Sequence, residues 1–230
     1  MILIHNVIRL QRLGSAIAVL VFSCVAAWGQ FDGQLAVAQQ QNAAQLRRYS
    51  WKMRTEVWKD GESKSVQVSS MKFDANGSPQ PTQISSTQTK LPTGGLKGYV
   101  AKKKKEELVT ILDALSGLAK TYSSIPANKM ERFVANATIQ PDISTQQSLI
   151  RIHGRNILQP DDSMTIWVDA ATRRQRKVEI QTIYNNKPVR IVSEFRDLPD
   201  GPNYAARSVI EYATENLKIS TENTEHRRER

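Results

Sequence analysis

Apolar side chains recur at every second position through most of residues 149–220, in short runs that each end in a turn-forming group. Met164, Ile166 and Val168 alternate with Thr165, Trp167 and Asp169; Val178, Ile180, Thr182 and Tyr184 share one side of the next run, and Val189, Ile191 and Phe195 one side of the run after it. A period of two puts successive side chains on opposite faces of an extended strand, so each run is a strand with one face covered. Pro160-Asp161-Asp162, Ala170 to Thr172, Asn185-Asn186-Lys187-Pro188 and Leu198-Pro199-Asp200-Gly201-Pro202 separate the runs. Connections this short join antiparallel neighbours and leave no room for a crossover helix. Strands are therefore expected at Leu149 to Ile157, Met164 to Asp169, Lys177 to Tyr184, Val189 to Phe195, Ala206 to Tyr212 and Leu217 to Ser220, forming a meander. The charged end, Glu225 to Arg230, is expected to fray.

Upstream, Leu35, Ala38, Ala43, Ala44 and Leu46 fit a helix over Gln34 to Arg48. Trp51, Met53, Thr55 and Val57 then alternate with Lys52, Arg54 and Glu56, and Asp60-Gly61 turns this strand into a second over Ser63 to Phe73. The apolar phase of that second strand slips from Val66 and Val68 to Met71 and Phe73, which predicts a bulge near Ser69-Ser70. Asp74-Ala75-Asn76-Gly77 makes another turn before a loosely placed strand near Thr82 to Ser86, and the polar stretch from Gln80 to Gly98 reads as a connection. Leu108, Ile111, Leu112, Leu115, Leu118 and Tyr122 share one face of a helix over Val100 to Tyr122, in which Gly117 marks a close contact or a bend. A shorter helix over Asn128 to Ala135 presents Met130, Phe133 and Val134. The sum is eight or nine strands with separate helices, an α+β pattern. It predicts a curved antiparallel sheet, an open half-barrel, with an N-terminal helix and a helical lid inserted over about 97–135.

The first 38 residues have the layout of an export signal: Arg9 and Arg12, an apolar run from Leu13 to Trp28, then the small-x-small site Ala36-Val37-Ala38. The run is shorter than the roughly 20 apolar residues of a spanning helix. Val25-Ala26-Ala27 is a second site for cleavage, while a retained anchor and lipidation at Cys24 are the alternatives. Processing after Ala38 leaves a single domain of residues 39–230 without the chain's one cysteine, so no disulfide can form within it. It also removes Arg9, Arg12 and Asp32, leaving 30 basic against 21 acidic residues, a net +9. That charge favours anionic surfaces such as phospholipid headgroups; export to the periplasm argues against nucleic acid.

The order of leader, N-terminal helix, hairpin, helical insertion and long meander resembles the periplasmic LolA/LolB-like lipoprotein carriers. The string Ser163-Met164-Thr165-Ile166-Trp167-Val168-Asp169-Ala170-Ala171-Thr172-Arg173-Arg174, continuing to Leu198-Pro199-Asp200-Gly201, also looks like exported proteins of unassigned function from some soil bacteria. The carrier resemblance implies an unclosed sheet whose apolar hollow, partly covered by helices, takes acyl chains. It fixes no binding residue by position.

Strand and helix phase alone nominate a lining: Trp51, Met53, Val57, Leu108, Ile111, Leu112, Leu115, Met164, Ile166, Val168, Val178, Ile180 and Ile191. The same residues serve equally as a filled core, because alternation occurs in any half-buried sheet. Lys102 to Lys105, with Lys97, form a basic run that reads either as a solvated helix end or as a contact with an anionic membrane surface. Trp58 and Trp167 sit on polar phases, where they serve an interface or cross-strand packing. Only His153 and His226 lie beyond the leader, His153 flanked by Arg151 and Arg155 as an exposed residue would be. Neither a Cys-His pair nor a His-rich metal site can be assembled, and no Gly-x-Ser-x-Gly elbow or glycine-rich phosphate loop occurs. A noncatalytic protein without cofactor or metal is expected, its partner a lipid or lipoprotein. The alternative is a structural or protein-interaction module of the cell envelope.

Overall fold

A computed structural model describes residues 33–88, 95–142 and 148–229. The leader reading, apart from residues 33–38, therefore lies outside the described residues. Helix α1 (Gly33–Leu46) is followed by β1 (Tyr49–Lys59), β2 (Glu62–Phe73) and β3 (Pro79–Gln88), then α2 (Gly95–Ser123) and α3 (Ala127–Asn136). The meander follows: β4 (Thr138–Asp142), β5 (Leu149–Arg155), β6 (Ser163–Asp169), β7 (Gln175–Tyr184), β8 (Lys187–Asp197), β9 (Asn203–Tyr212) and β10 (Leu217–Arg228). All ten strands form one antiparallel sheet in the order β3-β2-β1-β10-β9-β8-β7-β6-β5-β4. The sheet is open and curved, with β3 and β4 as its two edges, and the architecture is α+β as the sequence predicts.

The turn chemistry explains the register. Asp60 (φ 54°) and Gly61 (φ 79°) give the two positive φ values of a tight hairpin, and Asn185 (φ 49°) and Asn186 (φ 58°) repeat the pattern. At the β2–β3 turn Asp74 Oδ1 accepts from the Asn76 and Ser78 backbone N–H groups at 2.9 and 2.8 Å, while Gly77 takes φ 76°. These are the turns expected from the sequence.

Five expectations need correction. β4 is a tenth strand, all but one of its residues exposed, and Pro141 is tolerated because the strand is an edge. β10 continues to Arg228, so most of the charged end lies in a strand rather than frayed, with Arg227 and Arg228 paired to Ser50 and Tyr49 of β1. Its polar residues Thr221 and Asn223 are buried, which is why hydropathy hides them. In β2 the inward residues are Gln67, Ser69 and Met71, without a change of phase; the bulge between the Val68–Ser85 and Ser69–Gln83 pairs leaves Ile84 of β3 unmatched. Much of the 80–98 stretch is not a connection, since β3 runs to Gln88 and α2 begins at Gly95. Gly117 meets nothing within 4 Å of where a Cβ would stand, so it marks no close contact.

Two register rows cross the inner face of the sheet. One runs Val57, Ile219, Ile210, Ile191, Ile180, Met164 and Gly154. The other, two residues along each strand, runs Gln67, Thr55, Thr221, Ser208, Ser193, Val178, Ile166 and Ile152. Leu112, Leu115, Ala119 and Tyr122 of α2 and Met130, Phe133 and Val134 of α3 join the aliphatic residues of both rows in one core. Phe133 lies directly over Gly154, its ring carbons 2.8 Å from where a Cβ would stand, so the missing side chain lets α3 approach β5.

Candidate functional site

The nominated lining divides between two clusters. Val57, Leu112, Leu115, Met164, Ile166, Val168, Val178, Ile180 and Ile191 belong to the main core, each at most 3% exposed, and Leu108 and Ile111 pack half-buried at its margin. Leu115, Met164, Ile166 and Ile180 have no accessible surface, so no space of a water's size touches them. The apolar face is filled by α2 and α3. Trp51 and Met53 lie elsewhere, with Met71 and Phe73 in a smaller cluster.

That smaller cluster is aromatic and carries an imidazole. Trp51 stands 5.3 Å from Phe73 and is stacked at 6.0 Å on His226, which itself lies 4.0 Å from Tyr204. Trp51 Nε1 donates to Asn223 Oδ1 at 3.0 Å, and Asn223 Nδ2 donates to the Ala205 carbonyl at 2.8 Å. Burial disfavours the imidazolium and pushes His226 down to about 4. His226 was hidden from sequence reasoning by its place in a run of charged residues.

The helical cover is tied to the sheet by a buried carboxylate. Asp162, fully buried, accepts from the backbone N–H groups of Ile157, Leu158 and Gln159 at 2.6, 2.9 and 3.1 Å and from the Tyr122 hydroxyl at 2.6 Å. Tyr122 also meets Thr182 Oγ1 at 2.8 Å, and Gln159 Nε2 donates to the same hydroxyl. Burial, reinforced by the Asp162 carboxylate, pushes the Tyr122 hydroxyl up. A carboxylate that gathers this many donors is a clamp between α2, the β5–β6 loop and β7, with no vacant lone pair aimed at solvent. The sequence showed only a Pro-Asp-Asp turn there.

A polar cleft of about 170 Å³ opens between α1 and the β6–β7 turn, lined by Gln41, Asn42, Gln45, Thr172, Arg173, Arg174 and Asn203. Asn42 fixes α1 by donating to the Asn203 carbonyl at 2.8 Å and accepting from the Asn203 N–H at 2.5 Å. The turn is rigid: Asp169 Oδ1 accepts from the Ala171 and Thr172 N–H groups at 3.1 and 2.8 Å, and the Thr172 bond leads the interactions that hold its carboxyl low. Arg174 pairs with Asp197 at 3.0 Å, while Arg176 bridges Asp197 and Asp169 at 2.7 and 3.3 Å. Much of the cleft's positive charge is thus already balanced inside the protein.

On the outer face, Trp167 Nε1 donates to Asp142 Oδ2 at 2.7 Å and its ring carries Lys177 Nζ 4.5 Å from its centroid. Cross-strand packing accounts for Trp167. The Arg190 guanidinium leads the interactions that hold the Glu179 carboxyl down to about 2. His153 is half-buried rather than exposed, with Nδ1 2.9 Å from Thr165 Oγ1; burial and then Arg155 and Arg151 push it down. Among the described residues, no group of three or more His, Cys, Asp or Glu could hold a metal ion. No helix among them is long and apolar enough to cross a membrane.

No family model matches the chain, and no curated protein matches it. Among solved structures it is similar to a DUF1329 family protein from Desulfovibrio piger ATCC 29098, at 10% identity over 85% of this chain and 90% of that one, with a TM-score of 0.47. It is also similar to a LolA superfamily protein from Nitrosomonas europaea, at 12% identity over 83% and 93% of the two chains, TM-score 0.33. A third is a domain assigned to outer membrane lipoprotein sorting from Vibrio parahaemolyticus, at 11% identity over 84% and 91%, TM-score 0.39.

Proposed function

We propose that the protein is an exported, noncatalytic binding protein of the periplasm that takes a lipid or lipoprotein acyl chain between the sheet and the margin of α2. The observation carrying this reading is an aliphatic inner sheet face covered by two helices, with Leu108 and Ile111 only half-buried at the border. Magnitudes decide where a chain can enter. Lifting α2 and α3 completely would expose Leu112, Leu115, Tyr122, Ile125, Met130, Phe133 and Val134, at roughly 1.5–3 kcal/mol each. A sixteen-carbon chain returns about 13 kcal/mol, inside the roughly 10–21 kcal/mol that those seven side chains lose, so complete displacement gains nothing decisive from the chain. Partial withdrawal at Leu108 and Ile111 disturbs far less surface and is the route this reading requires. The signal-like residues Arg9 to Ala38 support export, and cleavage after Ala38 would leave α1 to begin at Gln39.

The test is native mass spectrometry of the protein purified from its own envelope. An acyl-bearing adduct is expected, and Ile111→Glu should abolish it while the thermal midpoint is retained. A ligand-free mass sinks the acyl reading. The filled core favours what would then stand, an interaction module of the envelope that holds no hydrophobic ligand.

A further inference from the structure

Helix α2 spans 29 residues, about 43 Å at 1.5 Å per residue, yet among its described side chains those in the main core fall between Leu108 and Tyr122. Of the side chains described between Tyr99 and Glu107, none joins it. Tyr99 is 68% exposed and Val100 45%, beside exposed Lys103 and Lys104. Helical spacing of four places Tyr99 next to Lys103 and Val100 next to Lys104. From Gly95 to Lys105 the chain carries five lysines and no acidic residue; Glu106 and Glu107 begin only where the helix reaches the core.

A helix end that merely faced water would carry polar side chains, whereas this one displays an aromatic ring and a valine among cations. An amphipathic ring with a polar tip, an aliphatic neighbour and long lysine stems are the side chains that settle at a bilayer surface. The unbroken positive charge selects an anionic surface over a neutral one. We propose that the N-terminal half of α2 docks the protein on an anionic phospholipid bilayer, with Tyr99 and Val100 in the headgroup layer and Lys103 and Lys104 against lipid phosphates. The contact requires nothing bound beneath the helix, so it stands or falls separately from the acyl reading.

Cosedimentation with phosphatidylcholine vesicles, with and without phosphatidylglycerol, tests it. The protein should partition onto the anionic vesicles alone, and Lys103→Glu with Lys104→Glu should lower the partition coefficient about 30-fold or more. Tyr99→Ser with Val100→Ser should lower it several-fold, because the buried apolar contact is lost. Lys120→Glu with Arg132→Glu changes net charge equally at exposed positions of α2 and α3, and should leave binding within about twofold. All of these positions lie outside the core, so unchanged thermal midpoints verify folding. Absence of binding, equal binding to neutral vesicles, or an equal loss in the Lys120/Arg132 variant overturns the proposal.

Discussion

The two rows that cross the inner face obey the same alternation and are covered by the same fold, but they differ in chemistry. From Val57 through Ile219, Ile210, Ile191 and Ile180 to Met164, the first row is aliphatic throughout and at most 3% exposed. The second is aliphatic only from Val178 to Ile152; its β1, β8, β9 and β10 members are Thr55, Ser193, Ser208 and Thr221, at most 6% exposed. Burial does not follow side-chain polarity here because the hydroxyls find partners across strands. Ser193 and Ser208 lie 2.8 Å apart and Thr55 and Thr221 3.5 Å apart, oxygen to oxygen. Strand phase decides which residues face inward, and the cross-strand neighbour decides whether a polar one is tolerated.

The contrast can be broken from the aliphatic side first. Ile166→Ala should cost about 3 kcal/mol, read from the urea midpoint, because a site with no accessible surface cannot collapse fully around the void. Gly154→Ala should cost about 1–2 kcal/mol, since its methyl would meet the Phe133 ring and displace α3. On the polar side, Ser193→Ala alone should cost about 1 kcal/mol by stranding the Ser208 hydroxyl, whereas Ser193→Ala with Ser208→Ala should recover most of that loss. Additive losses in this double-mutant cycle would show that the two hydroxyls do not support each other. A further effect is on pH dependence. Burial sets the folded His226 value near 4, below its ordinary 6.5, so its contribution is complete above pH 6.5 and is lost as pH falls through 4. His153 is pushed in the same direction. Replacing His226 with Gln should flatten the fall of the urea midpoint between pH 7 and 4 more than His153→Gln does.

Legibility in the sequence followed the same division. The aliphatic rows, the Asp60-Gly61 and Asn185-Asn186 turns and the Leu108–Tyr122 face were readable because apolar period and turn chemistry are local signals. Thr55 shares the apolar phase of its strand, but Ser193, Ser208 and Thr221 appear locally as polar residues like any others, so nothing marked the four as a buried row. The extension of β10 was hidden for the same reason: Thr-Glu-Asn-Thr-Glu-His carries no apolar alternation, and its order comes from β1, distant in sequence. The Asp162 clamp depends on Tyr122 and Thr182 arriving from two other elements, which no turn motif encodes. Of the nominated lining, phase identified inward residues correctly but could not separate the Trp51–Met53 cluster from the main core.

The place of β10 between β1 and β9 has a consequence for how the molecule is made. Thr55 and Thr221, adjacent in the finished sheet, are 166 positions apart along the chain. The ribosome therefore delivers the first hairpin long before its central neighbour exists, and the strand joining the two halves is made after both of them. Closure over such a separation is slow and comes late. Pairing of β10 with β1 and β9 is therefore the step that commits the sheet to its native strand order.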